Sequence, residues 1–94
     1  MKNNKNLKVA IVMGSQSDYK TMQLSAKILK KMGIKFETKI ISAHRTPERM
    51  YKFASSAAKN NIGVIIAGAG GSAHLPGMIS ALTSIPVLGV PMES

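Results

Sequence analysis

The sequence predicts an α/β fold, a single three-layer α/β/α domain on an open parallel sheet with strand order 2-1-3-4. Three observations carry this expectation. Short apolar runs bounded by glycine or turn residues recur at four places, as strands of a buried parallel sheet require. Segments with apolar residues at helical spacing separate them. The resulting β-α-β-α-β-α-β order, joined by right-handed crossovers, puts helices on both faces of the sheet.

Each element has its own signal. Lys8 to Gly14 is an apolar run closed by glycine, read as a strand buried on both faces. Ser17 or Asp18 is placed to cap the helix that follows. From Tyr19 to Met32 the positions Met22, Ala26, Leu29 and Met32 recur at helical spacing, with lysines on the remaining face, and Gly33 supplies a left-handed stop. Ile34 to Ile41 alternates apolar and polar, which predicts a half-buried strand near a sheet edge. Thr46 is positioned as the next cap, Pro47 occupies the first helical position and Glu48 favours the helix amino end. Met50, Phe53, Ala54, Ala57 and Ala58 form the buried stripe of this second helix, which ends near Asn60 and Asn61. Gly63 to Ala67 reads as a third, fully buried strand running into the loop Gly68 to His74. Leu75 to Leu82 reads as a short helix with Pro76 in its first turn, and Pro86 to Val90 as the fourth strand.

Length and composition bound the function. The 94 residues suit one small domain, 8–94, behind a polar amino-terminal tail, 1–7. With no cysteine there is no disulfide, no thiolate nucleophile and no cysteine metal site. No apolar run reaches the roughly 20 residues of a membrane span, and the polar start is unlike a signal peptide, so a cytoplasmic protein without a membrane partner is expected. The formal charge is +9, from 13 Lys and Arg against Asp18, Glu37, Glu48 and Glu93. The lysines are spread along the chain, most of them over the tail and two helices, without interleaved aromatic rings. Solvated helix faces with a mild attraction for small anions are therefore expected, and no nucleic-acid partner.

In flavodoxin-like sheets of this size the topological switch lies between the first and third strands, and ligands bind beyond the carboxyl ends of the strands there. Three connections meet at that rim. Gly14-Ser15-Gln16-Ser17-Asp18 offers hydroxyls and helix-terminal N–H groups, which suit a phosphate and serve equally as a plain cap. Ser42-Ala43-His44-Arg45 combines an imidazole suited to acid–base work with one of two arginines, whose fork matches phosphate; a loop histidine and a solvent-facing arginine account for the same residues. Gly68-Ala69-Gly70-Gly71 permits close backbone approach to a planar ligand, or simply a tight strand-to-helix turn, and it has neither Rossmann nor P-loop spacing. His44 and His74 without a carboxylate cluster make a poor metal site, so no metal is expected.

Taken together, Gly14-Ser15-Gln16-Ser17-Asp18 with Met22, Ser42-Ala43-His44-Arg45-Thr46-Pro47 and Ala67 to Met78 closely resemble the class I N5-carboxyaminoimidazole ribonucleotide mutases. These are also called catalytic subunits of phosphoribosylaminoimidazole carboxylase. Pro86 to Pro91 fits as well, and the resemblance runs from Val9 to Ser94. It implies that Ser15, Asp18 and Arg45 bind the ribose phosphate end of the substrate, with Ser17 and Ser42 assisting. It implies that His44 is the catalytic histidine, and that Gly70, Gly71, His74 and Leu75 line the imidazole and carboxylate pocket.

The implied reaction is the isomerisation of N5-carboxyaminoimidazole ribonucleotide to 4-carboxy-5-aminoimidazole ribonucleotide in purine biosynthesis, with no cofactor, metal or ATP. The glycine loop resembles the mutase class rather than enzymes that carboxylate aminoimidazole ribonucleotide directly. Ser72 stands where the family usually has alanine, and Tyr19 where tryptophan or leucine is common. The family is homo-octameric, and its members continue beyond Ser94 with a fifth strand, a closing loop and terminal helices that this chain is expected to lack. A binding module without turnover is the alternative that this difference in length raises.

Overall fold

The computed structural model describes residues 7–43, 45–69 and 74–92. In chain order it contains β1 (Lys8–Met13), α1 (Tyr19–Lys31), β2 (Phe36–Ile40), α2 (Pro47–Ser56), β3 (Ile62–Ala69), α3 (Leu75–Leu82) and β4 (Val87–Pro91). A short 3-10 turn, Gln16–Asp18, leads into α1. The strands are all parallel and lie in the expected order β2-β1-β3-β4.

Because side chains alternate across a strand, one strand feeds two cores. Ala10, Val12, Ile65 and Ala67 face α2 and α3, packing with Met50, Phe53, Ala54 and Ile79. Ile11 and Met13 face α1 and pack with Met22 and Ala26. From Ala10 to Met13 the central strand is at most 1% exposed, as its unbroken apolar run predicts.

The α1 face has one helix where the opposite face has two, and its coverage is correspondingly thin. Val64 and Ile66 of β3 are only half-buried, so the expectation of a fully buried third strand holds on one face alone. Gly68 shows how close the thinner layer sits, since a Cβ there would stand 2.8 Å from Met92 Cε and 3.3 Å from Met22 Sδ.

Both helix stops follow from backbone stereochemistry. Gly33 has φ +74°, its N–H donates to the Lys30 carbonyl at 3.1 Å, and the Ile34 N–H reaches the Leu29 carbonyl at 2.9 Å. This is the paired bonding of a Schellman motif. Asn61, at φ 64°, repeats it after α2, with Asn61 N–H to Ala58 O at 3.2 Å and Ile62 N–H to Ala57 O at 3.0 Å.

Other local expectations are corrected. Met32 is 65% exposed, because it follows the last turn of α1 and the helical stripe outruns the surface that covers it. Ala58 is exposed for a similar reason, lying in the turns after α2. Neither Ser17 nor Asp18 caps α1 through its side chain; Asp18 is already in the right-handed helical region, and Ser15 is the extended residue before the turn. Thr46 makes no cap bond to α2, since its hydroxyl is engaged elsewhere. Among the described residues no helix is long and apolar enough to cross a membrane.

Candidate functional site

Strand register brings the first three connections to one rim. Met13, the last residue of β1, pairs with Ile40 of β2, while Val12 pairs with Ala67 of β3. With neighbouring strands about 4.8 Å apart, the carboxyl ends of β2 and β3 flank that of β1 at about 10 Å from each other. The Ile41 N–H donates to the Met13 carbonyl at 2.8 Å, which fastens the second connection to the first.

In the first connection the Ser15 and Ser17 hydroxyls bond each other at 2.8 Å, and the Asp18 N–H closes the turn onto the Ser15 carbonyl at 3.1 Å. Ser17 is exposed and Asp18 half-buried, and neither side chain is committed to the helix end. The N–H groups of Gln16 and Ser17 head the turn, where no earlier carbonyl of the helix can accept from them. Hydroxyls and N–H donors at a positive helix end form an arrangement suited to an anion.

The second connection is held more firmly. Ser42 Oγ accepts from the Arg45 N–H at 3.0 Å. Thr46 Oγ1 accepts from the Ser42 N–H at 3.0 Å and donates to the Ser42 carbonyl at 3.1 Å, while the Thr46 N–H reaches the same carbonyl at 3.0 Å. These bonds tie Ser42 to Arg45 and Thr46, and the exposed Arg45 guanidinium has no ion pair among the described residues. His44 itself lies outside the described residues, as do Gly70 and Gly71 of the third connection.

The flanks of the third connection are placed. Ala69 ends β3, and His74, exposed, stands before α3 with its carbonyl accepting the Met78 N–H at 2.9 Å. Leu75 is only 6% exposed and packs in the core under α3, so its backbone, rather than its side chain, is what it can offer a ligand.

Residues that the sequence reading did not select also reach the rim. Gln16, Tyr19, Lys39 and Arg49 line a cavity of about 540 Å³ with Met13 and Ile40 at the carboxyl ends of β1 and β2. Arg49 had a visible signal, as the second of two arginines and in the first turn of a helix that begins at the rim. Among the described residues no group of three His, Cys, Asp or Glu side chains could hold a metal ion.

Comparison with known proteins bears on what this rim is for. The family model described as AIR carboxylase matches residues 8–94. The chain belongs to the AIR carboxylase family. Among curated relatives, it is 59% identical over 88 residues to the N5-carboxyaminoimidazole ribonucleotide mutase of Vibrio parahaemolyticus, covering 94% of this chain and 55% of that protein. It is 55% identical over 91 residues to the mutase of Escherichia coli K12, covering 97% of this chain and 54% of that protein. The crystal structure of Treponema denticola PurE superposes with a TM-score of 0.84 at 30% identity, over 95% of this chain and 57% of that one. This AIR carboxylase family member thus spans about half the length of the curated relatives it matches.

Proposed function

We propose that the chain acts as an N5-carboxyaminoimidazole ribonucleotide mutase in cytoplasmic purine biosynthesis, with His44 as the proton-transfer residue. The observation that carries this reading is the convergence at one rim of the connections after β1, β2 and β3, in a chain that shares more than half its residues with proteins of that name. In this reading Ser15, Ser17 and the turn N–H groups receive the substrate phosphate with Arg45, and Asp18 accepts from ribose hydroxyls. Ser42 holds the second connection in shape. Gly70, Gly71, His74 and the Leu75 backbone border the imidazole and its carboxylate.

The chemistry balances without an external reagent. The carbamate N–C bond breaks, carbon dioxide is released beside the ring, and the departing nitrogen takes a proton from His44. Carbon four then bonds to the carbon dioxide and its proton passes to His44, which restores the starting state. Retaining the carbon dioxide makes recapture effectively intramolecular. Homo-oligomeric assembly belongs to the same proposal. Leu24 and Ile28 on α1 and Met32 just after it, spaced four apart, are 57%, 59% and 65% exposed, an apolar stripe that a neighbouring subunit would cover.

The turn at Ser15 to Asp18, whose hydroxyls and leading N–H groups suit an anion by themselves, supports a second reading in which the rim binds the ribonucleotide without turnover. Carboxyl transfer assayed beside ligand titration separates the two. For the mutase, His44→Asn is expected to lower turnover by about 10²- to 10⁴-fold while affinity changes little. Ligand binding by the unaltered chain without turnover supports the binding module. Absence of both removes the rim from either role.

A further inference from the structure

A second basic feature lies away from the three connections, in the groove between β2 and α2. Arg49, Lys52, Ser56 and Lys59 are spaced three, four and three apart, which aligns them along one side of α2 and its following turn. The Asn60 N–H bond to the Ser56 carbonyl, at 3.0 Å, keeps that turn on a helical path. On the facing wall, Glu37, Lys39 and Ile41 alternate onto the α2 side of the sheet, and Lys8 of β1 stands beside them. Between the walls is a cavity of about 500 Å³, closed at the amino end of β3 by Asn60, Asn61 and Ile62.

The charge inside is one-sided. Lys8 and Lys39 both contact the same carboxylate, Glu37, at 2.7 and 3.8 Å. Arg49, Lys52 and Lys59 have no ion pair among the described residues. Five cations against one carboxylate leave a formal excess of four positive charges around a space the size of a small-molecule site. A concave surface of one sign concentrates counter-ions. The cations stand on both walls, so a chain of anionic groups can be held from two sides.

The groove also limits what such an anion can be. Its one aromatic residue, Phe53, is 8% exposed and belongs to the core, so no ring is available to stack on a base. The geometry points to an oligophosphate site, one that recognises adjacent phosphates, inorganic or on a nucleotide tail, and makes no contact with a base. It extends to Lys8 and Asn61 at the amino ends of β1 and β3, the end opposite the rim, and meets the rim cavity only at Lys39 and Arg49. It stands independently of the mutase reading.

Titrating the whole chain with tripolyphosphate, by calorimetry and by amide chemical-shift mapping, tests this directly. Binding is expected to weaken with added salt and to shift the amides of Glu37, Lys52, Asn60 and Asn61. Lys52→Gln with Lys59→Gln is expected to raise Kd about tenfold, whereas Lys20→Gln with Lys27→Gln, on α1 across the sheet, should change it less than about twofold. ATP is expected to bind no more tightly than tripolyphosphate. The proposal is overturned by no binding, by shifts centred on Ser15 to Asp18 and Arg45, or by equal weakening in the α1 variant. A tenfold preference for ATP would overturn it too, since it requires contact with the nucleoside. Shift mapping on the unaltered chain keeps the test decisive if a variant folds poorly.

Discussion

The connections after β1 and β2 stand side by side, yet they are built in opposite ways. Between Ser42 and Thr46 the backbone and hydroxyl groups bond one another, with both polar backbone atoms of Ser42 engaged by Thr46. Between Ser15 and Asp18 the side-chain bonding among the described residues is a single hydroxyl pair, and the leading N–H groups of the turn have no intrahelical acceptor. The first of these is a scaffold that fixes the backbone on either side of position 44. The second keeps its donors for something else. A site that must hold one group rigidly and receive another from solvent needs both kinds, because preorganised geometry and uncommitted donors cannot come from the same atoms.

Variants at three places test that contrast. Arg45→Ala removes a guanidinium that makes no ion pair among the described residues, so ribonucleotide affinity should fall about ten- to a hundredfold, with the unfolding midpoint unmoved. A midpoint that drops with affinity would assign Arg45 to the scaffold instead. Replacing Ser15 and Ser17 together by alanine should cost about tenfold in affinity and less than about 0.5 kcal/mol in stability, since their mutual bond is exposed. Denaturant unfolding beside ligand titration reads both quantities, and a larger loss of stability than of binding would invert the comparison. Thr46→Val should behave the other way, costing about 1 kcal/mol of stability through its two hydroxyl bonds to Ser42. Thr46→Ser retains the hydroxyl and should recover most of that loss. If valine is tolerated as well as serine, the second connection is not held by Thr46.

Much of the fold was legible in the chain. The run from Lys8 to Met13 reads as a strand because a central parallel strand must be apolar on both sides. Gly33 reads as a stop because the left-handed region suits a residue without a Cβ. Asn61 does the same work with a side chain, so the sequence marks the end of the second helix less sharply, as near Asn60 and Asn61. Caps were less legible. Ser17, Asp18 and Thr46 all have the right chemistry, but each hydroxyl or carboxylate chooses among competing local partners, and in Thr46 the serine four residues earlier wins. Periodicity also overran its cover. Met32 and Ala58 keep the helical spacing of buried residues at places where no neighbouring element lies over them.

The candidate site shows the same division. Ser15, Ser17, Asp18, Ser42 and Arg45 could be picked out because polar residues and glycine cluster immediately after apolar runs. Tyr19 could not, because what brings it and Arg49 together is the packing of helices on opposite faces of the sheet; Arg49 had its rarity and its first-turn position as a signal, and Gln16 its place in the first connection. The basic groove was hidden for the same reason. Lys8, Lys39 and Lys59 are far apart in the chain, and each alone reads as an ordinary solvated lysine.

Element types, helix stops and the grouping of candidate site residues after strands followed from the chain alone, because periodicity and backbone stereochemistry act over a few residues. Which side chains share a cavity, which hydroxyl becomes scaffold and which stays available, and how fully each face of the sheet is covered were settled by folding. Those outcomes depend on strand order and helix placement, which join positions tens of residues apart, and no local pattern encodes the partner that finally arrives.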